Sequence, residues 1–345
     1  MDKNSDITVL VTGGTGFLGA HCVYQLLSQG YRVKTTLRSR SKEQGLVETL
    51  QTAGIGSLDH FQCIEADLTK DAHWEEALQE CIYVLHVASP FPLKMPKDEN
   101  ELITPAVEGT LRVLRAARNS GVKRVVLTSS FAAIGYTHKD ESIPITEEMW
   151  TDPSDKNISA YVKSKTLAER AAWDFMEKEG KEMELSVICP RFILGPSLGN
   201  RFTTSLTVIR QIFEGSMKAT PNVSYGIIDV RDVADLHIRA MTHPNAVNQR
   251  FLATSGDPMT FNEIALFIKE KFGDKAQNVT TKVYPNWMVR MMAPFNPAAR
   301  GIVPHLGKRL VTINDKATKM MDWEPRSKEE AILASVESIL AERGN

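Results

Sequence analysis

ITVLVTGGTGFLGAHCVYQLLSQG, residues 7–30, decides the fold. Its opening, Ile7 to Val11, is an unbroken apolar run rich in β-branched residues and too short for anything but a buried parallel strand. Gly13, Gly16 and Gly19 then stand three apart, and Gly14, Gly16 and Gly19 also fit the GxGxxG spacing. A turn built this way meets a pyrophosphate with no Cβ in between. Phe17, Cys22, Val23, Leu26 and Leu27 recur at helical spacing, so a helix N-terminus with free N–H groups points at the bound anion. Strand, glycine turn and helix in this order near the N-terminus read as a nucleotide cradle.

Working outward, YRVKTTL (Tyr31 to Leu37) alternates like a strand and ends in Arg38, Ser39, Arg40 and Lys42. A carboxylate at that strand end would hold the 2′-hydroxyl of NAD, whereas arginine there suits a 2′-phosphate. The cluster predicts NADP(H), with Arg38 as the main anchor and Arg40 or Lys42 as helper. A helix over about 41–52 leads to a third strand, at whose end Asp67 either contacts the adenine edge or caps a helix starting near Ala72. A fourth strand over Ile82 to Phe91 contains His86, which reads as a satisfied core residue. A long helix over about Glu99 to Asn119, with Gly109 marking a close packing contact, feeds a fifth strand that ends at Ser129 and Ser130.

This alternation predicts an α/β protein with a Rossmann-type doubly wound parallel sheet, helices on both faces, and a smaller, interleaved C-terminal substrate-binding domain. Residues 1–190 are assigned to the NADP-binding domain, with return segments near 227–255 in which RFLATS adds a strand. Residues 191–345 are assigned mostly to the substrate-binding lid.

Net charge is −1, from 41 basic and 42 acidic residues, which leaves no electrostatic footprint for nucleic acid or an anionic membrane. Charge therefore points to a small-molecule partner. Cys22, Cys63, Cys81 and Cys189 are scattered through apolar runs without metal-ligand spacing, so no metal is expected and the thiols read as buried and reduced. No signal peptide fits and no apolar run is long enough for a membrane span, so cytoplasmic residence is expected.

ISAYVKSKTLAERAAWDFMEK, residues 158–178, is a helix whose apolar stripe holds Tyr161, Lys165, Ala168, Ala172 and the Phe175/Met176 pair, with Lys163, Arg170 and Glu177 opposite. Lys165 thus sits among buried positions, where an ammonium without a role is costly. Tyr161 lies one turn before it on the same face. A free tyrosine titrates near ~10. An ammonium about 4 Å away favours phenolate by up to ~4 kcal/mol at an effective dielectric of about 20, which would draw Tyr161 toward neutrality, where a general acid works best. Ser130 is at the ligand-binding edge of the sheet, with its hydroxyl available to a substrate oxygen.

TGGTGFLG at Thr12–Gly19, the Asp67–Leu68 pair, HVASP at His86–Pro90, TSS at Thr128–Ser130, YVKSK with Tyr161 and Lys165, PRFILGP at Pro190–Pro196 and DVRDVAD at Asp229–Asp235 come in one order along nearly the whole chain. Together they resemble the extended short-chain dehydrogenases/reductases. The chain is most similar to the group holding dihydroflavonol reductases, cinnamoyl-CoA reductases and microbial NADPH-dependent aldehyde and ketone reductases. The resemblance implies Ser130, Tyr161 and Lys165 as the catalytic trio. It implies cofactor contacts at Gly13, Thr15, Gly16, Phe17, Leu18, Gly19, Arg38, Lys42, Asp67, Leu68, Val87, Ala88, Ser89, Thr128, Tyr161 and Lys165, with Pro190 and Ile193 beside the nicotinamide.

Departures from the group narrow the expectation. Gly135 stands five positions after the serine, where the flavonoid enzymes carry Asn, and ISAYV replaces the NWYCY stretch of the cinnamoyl-CoA enzymes. What remains resembles a general NADPH-dependent carbonyl reductase acting on small aldehydes and ketones. Alternatives are a nucleotide-sugar epimerase or dehydratase, which Arg38 and the Phe131–Ala132 pair disfavour, and a non-catalytic NADPH-binding redox sensor, which the retained Tyr and Lys disfavour. Phe91, Phe131, Met217 and Tyr225, with Ile193, are expected in an apolar pocket wall or in ordinary core packing. The Met-rich stretch Asn286–Pro297 is either core filler or a flexible wall. Similar proteins include monomers and dimers built on the two long helices, and a homodimer is expected.

Overall fold

The N-terminal apolar run forms β1 (Thr8–Thr12), starting one residue later than the sequence pattern and buried along its whole length. Val9 and Val11 enter one hydrophobic core and Leu10 the other, as the two-residue period of a strand covered on both faces requires. The structure, a computed structural model, describes residues 4–89, 98–140, 142–199 and 204–343.

After β1 come α1 (Phe17–Ser28), β2 (Arg32–Leu37), α2 (Glu43–Thr52), β3 (Phe61–Glu65), α3 (Trp74–Leu78), β4 (Cys81–His86), α4 (Asn100–Asn119), β5 (Arg124–Thr128), α5 (Ala160–Glu179) and β6 (Glu184–Pro190). The later elements are β7 (Phe192–Leu194), α6 (Thr204–Phe213), β8 (Thr220–Pro221), β9 (Ser224–Asp229), α7 (Val230–Thr242), β10 (Gln249–Ala253), β11 (Ser255–Thr260), α8 (Phe261–Phe272), β12 (Val283–Tyr284), α9 (Asn286–Met292), α10 (Pro297–Ile302), α11 (Asp315–Met321) and α12 (Lys328–Arg343).

The main sheet has the order β10-β6-β5-β4-β1-β2-β3, and every neighbouring pair is parallel. This is the doubly wound α/β sheet that the alternation predicts. Strand order reverses between β1 and β4, and the crevice outside their carboxyl ends is where such sheets bind ligands. β10, from the C-terminal half, lies beside β6 with Phe251 opposite Ile188, while α7 packs on α1. Two small sheets, β11-β9-β7 and β12-β8, lie outside the main one.

Local chemistry explains several element ends. Ser159 caps α5 by accepting from the Val162 N–H, and Thr260 with Glu263 forms a reciprocal capping box on α8. Gly109 lets α4 approach Leu68: a Cβ there would lie 3.1 Å from the Leu68 Cβ.

Two expectations need revision. β4 ends at His86 rather than running on to residue 91, and Phe91 lies outside the described residues. The Met-rich segment is neither core filler nor cleft wall: Trp287, Met291, Met292 and Phe295 are exposed, and only Val289 of α9 is buried. Among the described residues no helix is long and apolar enough to cross a membrane.

Candidate active site

A cleft of about 810 Å³, a size typical of small-molecule sites, runs along the carboxyl ends of the central strands. Gly13, Thr15, Gly16, Phe17, Leu18 and Gly19 form its floor. Gly13 has φ +73°, a left-handed conformation that favours glycine. A Cβ on Gly19 would lie 2.3 Å from the Gly13 carbonyl oxygen, and one on Gly14 would lie 2.2 Å from Thr35 Oγ1, so side chains are excluded by the fold itself. α1 starts at Gly16 with no side-chain cap and no acidic residue in its first turn, which leaves its N–H groups to an anion. The N–H of Gly13 donates to Thr36 Oγ1 at 3.1 Å and that of Gly14 to Thr35 Oγ1 at 3.1 Å, pinning the turn to β2. On its other side Thr12 Oγ1 shares a hydrogen bond with buried His86 Nδ1 at 2.8 Å and accepts from the Ala88 N–H at 3.0 Å. His86 is the satisfied core residue that its position implies.

Arg38 and Lys42 line the cleft at the end of β2. Arg40 does not: its Nη1 donates to Glu43 at 3.2 Å and to the Cys63 carbonyl at 3.0 Å. Asp67 caps no helix. Its carboxylate accepts from the N–H and hydroxyl of Thr69, which holds it below the usual carboxylate range, and it lines the cleft beside Leu68. Val87, Ala88, Ser89, Thr128, Pro190 and Ile193 line the same cleft. The glycine turn, the unclaimed helix N-terminus and the two cations at the β2 end fit a dinucleotide carrying a 2′-phosphate.

Ser130, Tyr161 and Lys165 line this cleft as well. The Ser130 hydroxyl is hydrogen-bonded to the Tyr161 phenol and accepts from the Ala132 N–H at 3.1 Å. Burial raises the Tyr161 pKa, and the Ser130 bond opposes it. The expectation that Lys165 draws Tyr161 toward neutrality is therefore not met, because desolvation of the phenolate dominates. Lys165 is itself lowered to about 8 by burial, with Glu169 acting to keep it charged.

Behind this trio lies a buried polar layer that sequence reasoning missed. Glu169, one helical turn beyond Lys165, accepts from Ser129 Oγ at 2.5 Å, Arg250 Nε at 2.5 Å and Trp173 Nε1 at 3.2 Å. Arg250 Nη1 donates to the carbonyls of Glu147 at 2.6 Å and Met149 at 3.0 Å, and its guanidinium stacks 3.7 Å over Trp150. Thr128 Oγ1 lies 2.7 Å from His237 Nε2, whose Nδ1 is 2.7 Å from the Val233 carbonyl. A carbonyl only accepts, so Nδ1 carries the proton and Thr128 donates to Nε2. The signal for Glu169 was present in the sequence, as an acid four residues after a lysine on one helix face.

Phe131, Tyr225 and Ile193 line the cleft, whereas Met217 is half-buried against the core and does not line it. Tyr136, Arg191, Phe192, His305 and Lys308 line it without having been anticipated. Only Arg191 gave a local signal, as a charged residue inside the apolar run VICPRFIL.

A parallel sheet with a glycine turn at its first strand and a Ser–Tyr–Lys constellation facing it defines a dinucleotide-binding protein of the short-chain dehydrogenase/reductase type. The model of the NAD dependent epimerase/dehydratase family matches residues 9–253, and the chain belongs to that family. A Candida albicans protein provisionally named an NADPH-dependent methylglyoxal reductase is 38% identical over 287 residues, spanning 78% of this chain and 84% of its own. A cinnamoyl-CoA reductase of Medicago truncatula is 35% identical over 255 residues, spanning 72% and 77%. The yeast methylglyoxal/isovaleraldehyde reductase Gre2, solved with NADPH, superposes with a TM-score of 0.81 at 27% identity, covering 98% of this chain and 99% of that one.

Proposed function

We propose that this chain is an NADPH-dependent carbonyl reductase converting small aldehydes and ketones to alcohols. The observation that carries the reading is the Ser130–Tyr161 hydrogen bond at the wall of the cleft. Burial keeps the proton on Tyr161 at neutral pH, which is the state a proton donor to a forming alkoxide must have. NADPH, when bound, would supply the hydride. Ser130 and Tyr161 hold the carbonyl oxygen, and the Tyr161 proton passes to it as negative charge develops. Lys165 would hold the nicotinamide ribose, the N–H groups at the start of α1 the pyrophosphate, and Arg38 with Lys42 the 2′-phosphate.

In the same reading residues 1–190, with the returns near 227–255, hold the cofactor and 191–345 mostly shape the substrate side. Four buried free cysteines are in keeping with cytoplasmic residence. A homodimer through α4 and α5 is the assembly to test by light scattering.

The deciding assay follows NADPH absorbance, with NADH in parallel, against aldehydes, ketones, diketones, keto esters and UDP-sugars. Oxidation of NADPH by several carbonyls, with NADH much poorer, is the expected result. Silence across the carbonyls together with conversion of a UDP-sugar would move the chain to the epimerase branch.

A further inference from the structure

Arg191 stands between β6 and β7 and lines the cleft. Nη1 donates to the Leu310 carbonyl at 2.8 Å and to Thr312 Oγ1 at 3.1 Å, while Cζ lies 4.1 Å from the centre of the Phe131 ring. The chain makes room for this side chain at Gly226 on β9. A Cβ there would lie 2.3 Å from Arg191 Cδ and 2.4 Å from Nε.

What the guanidinium lacks is an anion. Among the described residues no carboxylate pairs with it, and the groups that act on its charge are the phenols of Tyr136 and Tyr225. Burial lowers its pKa to about 10, which leaves it a cation at any physiological pH. A buried charge without a counter-ion is costly and is seldom kept without a use. The Phe131 ring and the two phenols favour the cation, but no carboxylate of the described wall faces it. Lys308 also lines the cleft, and Asp67, the one acidic side chain among the described lining residues, belongs to the end of β3 on the opposite side of the sheet. Tyr136 is within electrostatic reach of Arg191, Tyr225 and Tyr161, which puts the guanidinium and the proposed proton donor around one phenol.

We infer that Arg191 sets substrate class: the cleft is built for oxo acids, carbonyl compounds whose carboxylate accepts from the guanidinium edge that the two Nη1 bonds leave open. Planar, two-point recognition of a carboxylate is what a fixed guanidinium does best. The inference rests on the carbonyl reductase reading above. The competing role is a clamp that ties the segment around Leu310 and Thr312 to β6, for which the Nη1 bonds alone suffice.

The test compares 2-oxobutanoate, 3-oxobutanoate and 4-oxopentanoate, each against its methyl ester, with NADPH. At least one acid is expected to exceed its ester about tenfold or more in kcat/KM. Arg191→Met is expected to lower that acid-to-ester ratio roughly tenfold to hundredfold, chiefly through KM, and Arg191→Lys to lower it less. Esters equal to or better than every acid, a ratio unmoved by Arg191→Met, or equal loss of acid and ester reduction in the variant would each overturn the inference. A second readout needs no turnover: pentanoate is expected to raise the thermal midpoint of the NADPH-loaded protein, and not that of Arg191→Met. If the wild type reduces neither acids nor esters, the reductase reading falls. An Arg191-dependent pentanoate shift would then still uphold the carboxylate site, and its absence would overturn that too.

Discussion

Arg250 Nε meets Glu169 Oε1 at 2.5 Å in the interior, joining β10 to α5 one helical turn beyond Lys165. Both groups are nearly inaccessible to water, so each is tolerable only because of the other. Glu169→Leu or Arg250→Met alone is expected to cost about 3–5 kcal/mol, while the double replacement costs much less. Urea unfolding of the four proteins gives the coupling directly. Additive losses would mean that the pair does not act as a unit.

The same carboxylate helps to keep Lys165 charged, and Lys165 and Tyr161 share one face of α5. Tyr161→Phe removes the proposed proton donor and keeps the ring. Turnover is expected to fall by about 10²–10⁴ with NADPH affinity preserved. Single-turnover kinetics with NADPH titration separates the two, and undiminished turnover would remove Tyr161 from the chemistry.

The sheet and the glycine turn were legible in the sequence because both obey short-range rules. A buried strand is an apolar run, and a turn approached by backbone needs glycine where Gly13 and Gly19 stand. The Ser130–Tyr161–Lys165 group was legible in part, since Lys165 on an apolar face is anomalous within one helix. The Glu169–Arg250 pair spans 81 residues of chain, and no local pattern encodes it. The same holds for Arg191 and Gly226, whose fit exists only once β9 lies against β7. The Tyr161 pKa departs from the sequence expectation for a related reason: the lysine is visible in one helix, whereas the desolvation that raises the pKa exists only in the folded chain.

Arg38 is exposed and lines the cleft at the end of β2, with no ion pair among the described residues to hold it elsewhere. Arg38→Ala is expected to raise the KM for NADPH roughly tenfold to hundredfold through loss of charge-assisted hydrogen bonds, and to leave that for NADH nearly unchanged. Stability is expected to shift by less than about 0.5 kcal/mol, as for other exposed sites. Equal effects on both cofactors would assign the 2′-phosphate to other residues.

Lys165 gives the protein a pH dependence of unusual sign. Burial lowers its pKa from 10.5 to about 8, so below pH 8 the folded and unfolded chains both carry the proton and the cost of the buried ammonium is fully present. Between pH 8 and 10.5 the folded state releases the proton while the unfolded state keeps it, so this residue's contribution to stability rises with pH in that window. Lys165→Met is therefore expected to be more stable than the wild type at pH 7, by about 1–3 kcal/mol because contact with the cleft softens the penalty, and to lose that advantage toward pH 10. Activity runs the other way. If the ammonium holds the cofactor, kcat/KM falls as the pH passes about 8. Glu169→Gln, which removes a charge favouring the ammonium, moves that limb to lower pH. Urea midpoints and kcat/KM measured at matched pH values test both trends, and a stability difference that stays constant from pH 7 to 10 would show that Lys165 is not the group titrating.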